Sequence, residues 1–157
     1  ALKIGDVQYP KNIFTVWSKE KKEAIGIYEI VRDNSNKKDD SLYTNTEVSY
    51  AFADGKVTAS YGTANPKELS GLKTEKKKII KQQASDLLTP TDWYVIKATE
   101  VESYSAPEAT TTYRADVRTA SNEMEAKINA CTTVDELAAL YVYTDGSRPL
   151  GEFPEEI

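Results

Sequence analysis

The 157-residue sequence contains no histidine and a single cysteine. Without histidine the chain lacks the usual general base, the commonest metal ligand and the side chain that titrates near neutral pH. One cysteine cannot form an intramolecular disulfide, and one cysteine without histidine cannot build a zinc site. Cys131 is therefore interpreted as a small buried hydrophobic residue near a helix end.

Long apolar runs and an excess of positive charge are also missing. No segment approaches the roughly 20 apolar residues that span a bilayer, and the first residues lack the apolar core of a signal peptide. The net charge of -5 argues against a general nucleic-acid binder, whose affinity comes from neutralising phosphates. We therefore expect a soluble protein made in a cytoplasm, with no membrane or nucleic-acid partner.

Catalytic motifs are missing as well. The sequence has no G-x-S-x-G, no S-x-x-K and no glycine-rich phosphate loop. Paired carboxylates of the glycosidase type are the only option left, yet spacing singles out no pair. The candidates lie in the C-terminal half: Asp92, Glu100, Glu102, Asp116, Glu123 and Glu125. We predict a non-enzymatic protein with no catalytic residues, cofactor, metal or small-molecule ligand, and keep a carbohydrate-active enzyme as a remote alternative.

The clearest pattern that is present is a β-hairpin between residues 42 and 62. Asp54-Gly55 is a typical hairpin dipeptide, and the residues on either side alternate with a period of two. The pattern places one triplet opposite another on a single face: Val48, Tyr50 and Phe52 against Val57, Ala59 and Tyr61. Because a two-stranded hairpin alone is marginal, further strands or a partner chain are expected to complete the sheet.

The flanking N-terminal segments supply those strands. Ile13–Trp17 is a β-branched and aromatic run, predicted as a strand or tethered arm. Ser18 is predicted to cap a short helix over residues 19–25, which ends at Gly26. Residues 27–31 are the next strand candidate. Residues 32–41 are polar and are predicted to form a mobile loop, since they lack the register of a calcium-binding loop.

The C-terminal half is helical in pattern. Asn65-Pro66 is predicted to begin a helix that runs to Leu88. A capping box at residues 105–108 is predicted to open a second long helix, and another at Thr133 a short third helix. One face of the first helix is cationic, interpreted as solvated or alternatively as a docking face for an acidic partner: Lys73, Lys76, Lys77, Lys78 and Lys81.

The order of these elements predicts an α+β fold. A small N-terminal antiparallel β domain with a hairpin covers residues 1–64, a C-terminal helical hairpin or bundle covers 65–143, and an extended tail covers 144–157. Tyrosine is abundant, with ten residues, and is enriched at protein interfaces. Tyr50 and Tyr61 are candidate contact residues, and a homo-oligomer is expected.

The densest pattern lies between residues 85 and 118. The run Leu87-Leu88-Thr89-Pro90-Thr91-Asp92-Trp93, followed by Tyr113-Arg114 and Arg118, resembles the helix–TDW–loop–YR–x₃–R segment of tail assembly chaperone-like and tail-fibre-assembly-like domains of tailed bacteriophages. The runs Tyr9-Pro10-Lys11-Asn12 and Ala24–Glu29 are similar to the start of such proteins. The resemblance covers residues 8–31 and 68–140 and omits the hairpin.

The resemblance implies a non-catalytic phage protein, and two roles remain open. The first is a structural tail component, an adaptor or a fibre- or baseplate-associated subunit, located in the virion. The second is an assembly chaperone absent from the finished particle. The added hairpin departs from the pattern and favours a retained component. Its partners would be other tail proteins and further copies of itself.

The same segment has a structural interpretation drawn from its residues. Trp93 is predicted to fill the gap between the two long helices. Arg114 and Arg118 are predicted to pair with Asp92 or with the carbonyls that end the first helix. The alternative makes Trp93 and the arginines a partner-binding hot spot, because these residue types dominate such sites.

Overall fold

The chain folds as two units, Ala1–Asn65 and Pro66–Ile157, in a computed structural model that describes residues 1–157. The first unit holds small β-sheets and two short helices, and the second holds the long helices. The predicted α+β class is therefore confirmed. None of the helices combines the length and the apolar character that crossing a membrane requires.

A three-stranded sheet dominates the first unit. β5 (Val48–Ala53) and β6 (Lys56–Tyr61) pair antiparallel, with Tyr50 opposite Ala59. Asp54 and Gly55 join them with φ values of 52° and 73°, the left-handed geometry of a tight hairpin turn. The predicted hairpin is confirmed. β3 (Ile30–Asp33) pairs with the other side of β6 in parallel, giving the order β3-β6-β5.

Two smaller strand pairs are also present. β1 (Leu2–Ile4) and β2 (Val7–Tyr9) form an antiparallel pair, while β4 (Tyr43–Thr44) pairs with β7 (Asn65–Pro66) over two residues. Tyr9 and Trp17 meet edge to face, with ring centroids 5.9 Å apart. The largely buried hydrophobic residues of the unit are few: Ile13, Leu42, Tyr43, Ala59 and Ala64.

The prediction of a strand at residues 13–17 was wrong, because Ile13–Val16 forms a short helix, α1. Its turn closes through bonds from Val16 and Trp17 N–H to the carbonyls of Asn12 and Ile13, at 2.9 and 3.2 Å. Ile13 is fully buried. Burial of one apolar side chain thus overrides the strand preference of a β-branched run.

The following helix, α2 (Lys19–Glu23), agrees with the prediction. The Ser18 hydroxyl accepts a bond from the Lys21 N–H at 3.4 Å, and Gly26 takes a φ of 83° just past the helix end. The strand predicted over residues 27–31 is displaced by a few residues to β3.

The polar loop after β3 is tied down rather than free. The Asn45 side-chain amide accepts from Lys38 N–H at 2.9 Å and donates to the Lys38 carbonyl at 2.7 Å. Asn36 donates to the carbonyl of Tyr61 at 3.1 Å. Residues 32–41 are all exposed, as expected of a loop with nothing to bury, and the bonds of Asn36 and Lys38 connect the loop to Tyr61 and Asn45.

The second unit is built on two long antiparallel helices, α3 (Leu69–Leu88) and α5 (Glu108–Ala130). Between them lie a 3₁₀ turn at Thr89–Thr91 and α4 (Asp92–Glu100), and α6 (Val134–Ala139) follows. Ala84, Tyr113 and Val117 form a core cluster, packed by Leu87, Leu88 and Phe153.

The helix starts differ from the predicted caps in two of three cases. The Glu68 carboxylate caps α3 by accepting from Ser70 and Gly71 N–H at 2.7 and 2.6 Å, so the helix does not begin at Asn65-Pro66. These two backbone bonds, Gly71 first, lower the pKa of Glu68. The α5 start has no side-chain cap. The Thr133 capping box, with Glu136, forms as predicted.

The C-terminal segment is not the extended tail that was predicted. Leu150 is 1% exposed, and its N–H donates to the Leu140 carbonyl at 3.0 Å. The Lys127 ammonium donates to the carbonyls of Pro149 and Leu150 at 2.9 and 3.1 Å. Phe153 packs on the core cluster of α3 and α5. Leu150 and Phe153 thus dock this irregular segment.

Candidate interaction surfaces

The junction between α3 and α4 is organised by Arg114. This side chain is 8% exposed and projects from α5 to the end of α3. One guanidinium nitrogen, Nη1, donates to the Leu88 carbonyl at 2.8 Å and to the Thr91 hydroxyl at 2.5 Å. The other, Nη2, donates to the Asp92 carboxylate at 2.8 Å. The predicted pairing of Arg114 with Asp92 and with a helix-ending carbonyl is confirmed.

The neighbouring Tyr113 belongs to the packed core rather than to a surface. It is 5% exposed, and its hydroxyl lies 3.4 Å from the Leu87 carbonyl. Burial, with a smaller contribution from the negative charge of Glu156, raises the pKa of Tyr113. Tyr113 and Arg114 together satisfy the last carbonyls of α3, which have no partner within the helix.

Arg118 does not join this junction. It is exposed, and its Nη1 donates to the Arg114 carbonyl of its own helix at 3.2 Å. The prediction that Arg118 pairs with Asp92 or with the end of α3 was wrong. One turn of helix separates the two arginines, and only the first reaches the end of α3.

Trp93 is 50% exposed, so the prediction that it fills the gap between the long helices was wrong. Its ring stacks on Tyr94, with centroids 4.0 Å apart, and the Lys97 ammonium lies 5.6 Å from its centroid. Lys97 also lies 4.3 Å from the ring centroid of Tyr104. Arg114, Thr91 and Tyr113 fill the space that Trp93 was expected to occupy.

Helix α4 as a whole has no buried residue. Its exposed apolar side chains are Trp93 at 50%, Val95 at 42% and Ile96 at 56%, and Val101 just beyond it is 40% exposed. A nine-residue helix is marginal in water by itself. We call these four residues the α4 surface. This helix was not predicted from the sequence, although residues 91–106 contain no glycine or proline to interrupt it.

The cationic face of α3 proves to be engaged within the unit. Lys73 donates to the Asn129 carbonyl at 2.9 Å, and Lys77 donates to the Asn129 side chain at 2.9 Å. Lys81 pairs with Glu125 at 3.4 Å. These lysines recur every four residues, so they run along the side of α3 that faces α5. Lys73, Lys77 and Lys81 thus contact α5 while the face stays at the surface, with the Lys81 side chain 66% exposed.

A second exposed apolar surface lies on the three-stranded sheet. Tyr50 is 65% exposed, Phe52 59% and Ile30 53%. The strand register places Phe52, Val57 and Ile30 in one row across the sheet, on one face. Phe52 also contacts the ring of Tyr28, with centroids 4.5 Å apart. We call this the sheet surface.

Tyr61, the other tyrosine singled out in the hairpin, is partly buried at the end of β6, with the Lys37 ammonium 5.9 Å from its ring centroid. The candidate residues thus fall into two groups. Tyr50 and Tyr61 lie in the first unit, and the residues around the Arg114 junction lie in the second.

Two of the six acidic candidates take part in ion pairs within the second unit. Asp92 binds Arg114, and Glu125 binds Lys81. No group of three or more histidine, cysteine, aspartate or glutamate side chains is placed to hold a metal ion. Cys131 is buried, as interpreted from the sequence, and its burial raises the pKa of the thiol. Its sulfur lies 3.4 Å from the Lys127 carbonyl within the helix end.

Comparison of the chain with protein-family models, with curated proteins and with solved structures gave no match.

Proposed function

We propose that this protein is a non-enzymatic structural component of a bacteriophage tail, an adaptor or a fibre- or baseplate-associated subunit, that works through protein contacts. The observation that carries the proposal is the α4 surface. Trp93, Val95 and Ile96 are exposed on a short helix without a buried residue. Tryptophan is enriched at the energetic centres of protein interfaces.

The anchoring of α4 supports the same role. Arg114 binds the residues just before the helix and Asp92 in its first turn. The helix is therefore fixed at its start, although no side chain of α4 is buried. A surface held in place before a partner arrives loses less conformational entropy on binding. The partner we propose for this surface is another tail protein.

The resemblance of the segment from Leu87 to Arg118 to tail assembly proteins supplies the biological context. The Arg114 junction fixes the start of α4 through its own hydrogen bonds. An assembly chaperone absent from the particle is the second candidate, since it would use the same kind of surface transiently.

Mass spectrometry of purified phage particles tests the location. We expect this chain at a fixed copy number relative to the other tail proteins. A chain that is abundant in infected cells and missing from purified particles would establish the chaperone role instead.

The contact role is tested with Trp93→Ala. Because Trp93 is half exposed, the free energy of unfolding of the variant should lie within about 1 kcal/mol of the wild-type value. The variant should nevertheless fail to enter assembled tails. Ile79→Ala, 44% exposed on α3, is the matched control and should be incorporated normally. A Trp93→Ala chain that assembles as well as this control would rule out the α4 surface as the contact.

A further inference from the structure

We propose that strand β5 is a homotypic interface: two copies of the chain pair their β5 strands antiparallel across a two-fold axis and form one continuous six-stranded sheet. This inference deepens the proposed contact role by naming a second copy as one partner. It starts from the position of β5, which pairs only with β6 and leaves its other side at the edge of the sheet.

The two edges of the sheet differ in how they are protected. β3, at one edge, carries Arg32 and Asp33, both exposed. Charged side chains on an edge strand oppose pairing with another chain. β5 has the sequence VSYAFA, with no charge and no proline over six residues, and five of the six are exposed. A long uncharged edge of this kind is a template for adding a strand.

The charges favour a second copy as the added strand. The first unit carries nine lysine and arginine side chains and nine aspartate and glutamate side chains, so it is formally neutral. All of the net charge of -5 lies in the second unit. Two copies can therefore bring their first units together without net repulsion. A strongly charged partner would gain nothing at this edge.

The geometry of an antiparallel pair limits the register. Residues directly opposite each other point to the same face of a sheet, and a two-fold axis preserves the face. The axis must therefore pass midway between one residue of β5 and its own copy, with Ala51 and Tyr50 the central choices. When Ala51 faces its own copy, Tyr50 lies opposite Phe52 of the second copy, an aromatic pair on one face. Both registers keep Glu47 and Asp54 from facing each other, because those residues have opposite alternation.

The pairing also joins the two sheet surfaces. The rows that contain Ile30, Tyr50 and Phe52 would continue from one copy into the next on the same face. This roughly doubles a surface that is more than half exposed in each copy. The dimer thus presents a broader apolar face to the tail than one chain could.

The molar mass of the purified full chain tests the pairing directly. By sedimentation equilibrium we expect about twice the 17.5 kDa of one chain. Ala51→Lys places a charge on the β5 edge and should return the mass to that of one chain. Val31→Lys places the same charge on the β3 edge, where Val31 is 47% exposed, and should leave the dimer intact. A wild-type chain that is monomeric, or dimers equally resistant to both substitutions, would overturn the proposal.

Disulfide trapping tests the register and does not depend on loss of binding. Cα atoms of opposed residues lie within about 4.5–5.5 Å of each other, a separation that a disulfide bridges. On mild oxidation, either Ala51→Cys or Tyr50→Cys should form a disulfide between two copies, whichever residue faces its own copy across the axis. Val31→Cys should form none. The native Cys131 is buried and should give no background. Cross-linking of Val31→Cys alone would place the interface on the wrong edge.

The β5 interface and the tail role can be refuted independently of each other. The dimer is measured on the isolated chain, whereas the tail role is measured on particles. A dimeric chain absent from particles would refute the tail role and retain the β5 interface.

Discussion

Arg114 and Asp92 connect the longest helix of the protein to the first residue of the exposed helix α4. The guanidinium Nη2 and the carboxylate Oδ1 lie 2.8 Å apart, with the arginine 8% and the aspartate 51% exposed. The same guanidinium binds the last carbonyl of α3 and the Thr91 hydroxyl. One side chain thus satisfies the end of one helix and fixes the start of the next.

Arg114→Met should destabilise the second unit by about 2 kcal/mol, since it removes the guanidinium bonds to the Leu88 carbonyl, the Thr91 hydroxyl and the Asp92 carboxylate. The Leu88 carbonyl keeps the bond that it accepts from the Thr91 hydroxyl at 2.8 Å, which limits the loss. Arg114→Lys should recover only part of the loss, because an ammonium cannot reproduce the forked geometry. Denaturant unfolding measures both. The matched control is Arg118→Ala on the exposed side of α5, whose free energy of unfolding should lie within about 0.5 kcal/mol of the wild-type value. Equal losses at Arg114 and Arg118 would contradict the assigned role.

Leu150→Ala should lower the free energy of unfolding of the second unit by about 2–4 kcal/mol, because this buried leucine anchors the irregular C-terminal segment. Lys127→Met removes the ammonium that holds the Pro149 and Leu150 carbonyls and should expose the segment to limited proteolysis. Ile157→Ala is the control, since Ile157 is 67% exposed. If a protease cleaves the wild type within residues 148–157 as fast as it cleaves Lys127→Met there, the C-terminal segment is not held by Lys127.

Acidification should weaken the start of α3. Two backbone N–H bonds lower the pKa of Glu68 in the folded state, so the ionised carboxylate is the stabilising form. Its contribution is complete above the ordinary carboxyl pKa and disappears as the pH falls below about 4.5 through the lowered value. Urea unfolding at pH 7 and pH 3 should therefore differ less for Glu68→Gln than for the wild type. Glu75→Gln, on an exposed position of the same helix, should keep the wild-type difference.

Thr133→Ala should destabilise the second unit by about 1 kcal/mol, because it removes the hydroxyl that accepts from the Glu136 N–H at 3.1 Å and opens the capping box of α6. Amide hydrogen exchange should accelerate in Val134–Ala139 and not in α3. Thr119→Ala, exposed in the middle of α5, provides the comparison and should leave exchange in α6 unchanged.

The features that the sequence predicted correctly depend on short-range chemistry. The Asp54-Gly55 turn requires left-handed backbone angles that these residues favour. The Thr133 box is complete within four residues. The pairing of Arg114 with Asp92 was predictable because a buried arginine needs an acidic or carbonyl partner. Asp92 lies just after the end of α3, where α3 and α5 were expected to meet.

The features that the sequence did not predict depend on tertiary burial. The sequence around Ile13 has the composition of a strand, and it does not show that this fully buried residue belongs to the helix α1. Trp93 was predicted to fill the gap between the two long helices, yet it is 50% exposed, and the buried Arg114 makes the hydrogen bonds at that junction. The docking of Leu150 depends on Lys127, more than twenty residues earlier, which no periodic pattern reveals.

The placement of the only two tryptophans gives each unit its own optical reporter. Trp17 meets Tyr9 in the first unit, and Trp93 stacks on Tyr94 in the second. Replacing either indole by phenylalanine leaves a chain whose tryptophan emission comes from one unit alone. Comparing the two single-tryptophan variants then gives the order in which the β unit and the helical unit lose structure during unfolding, without any added dye.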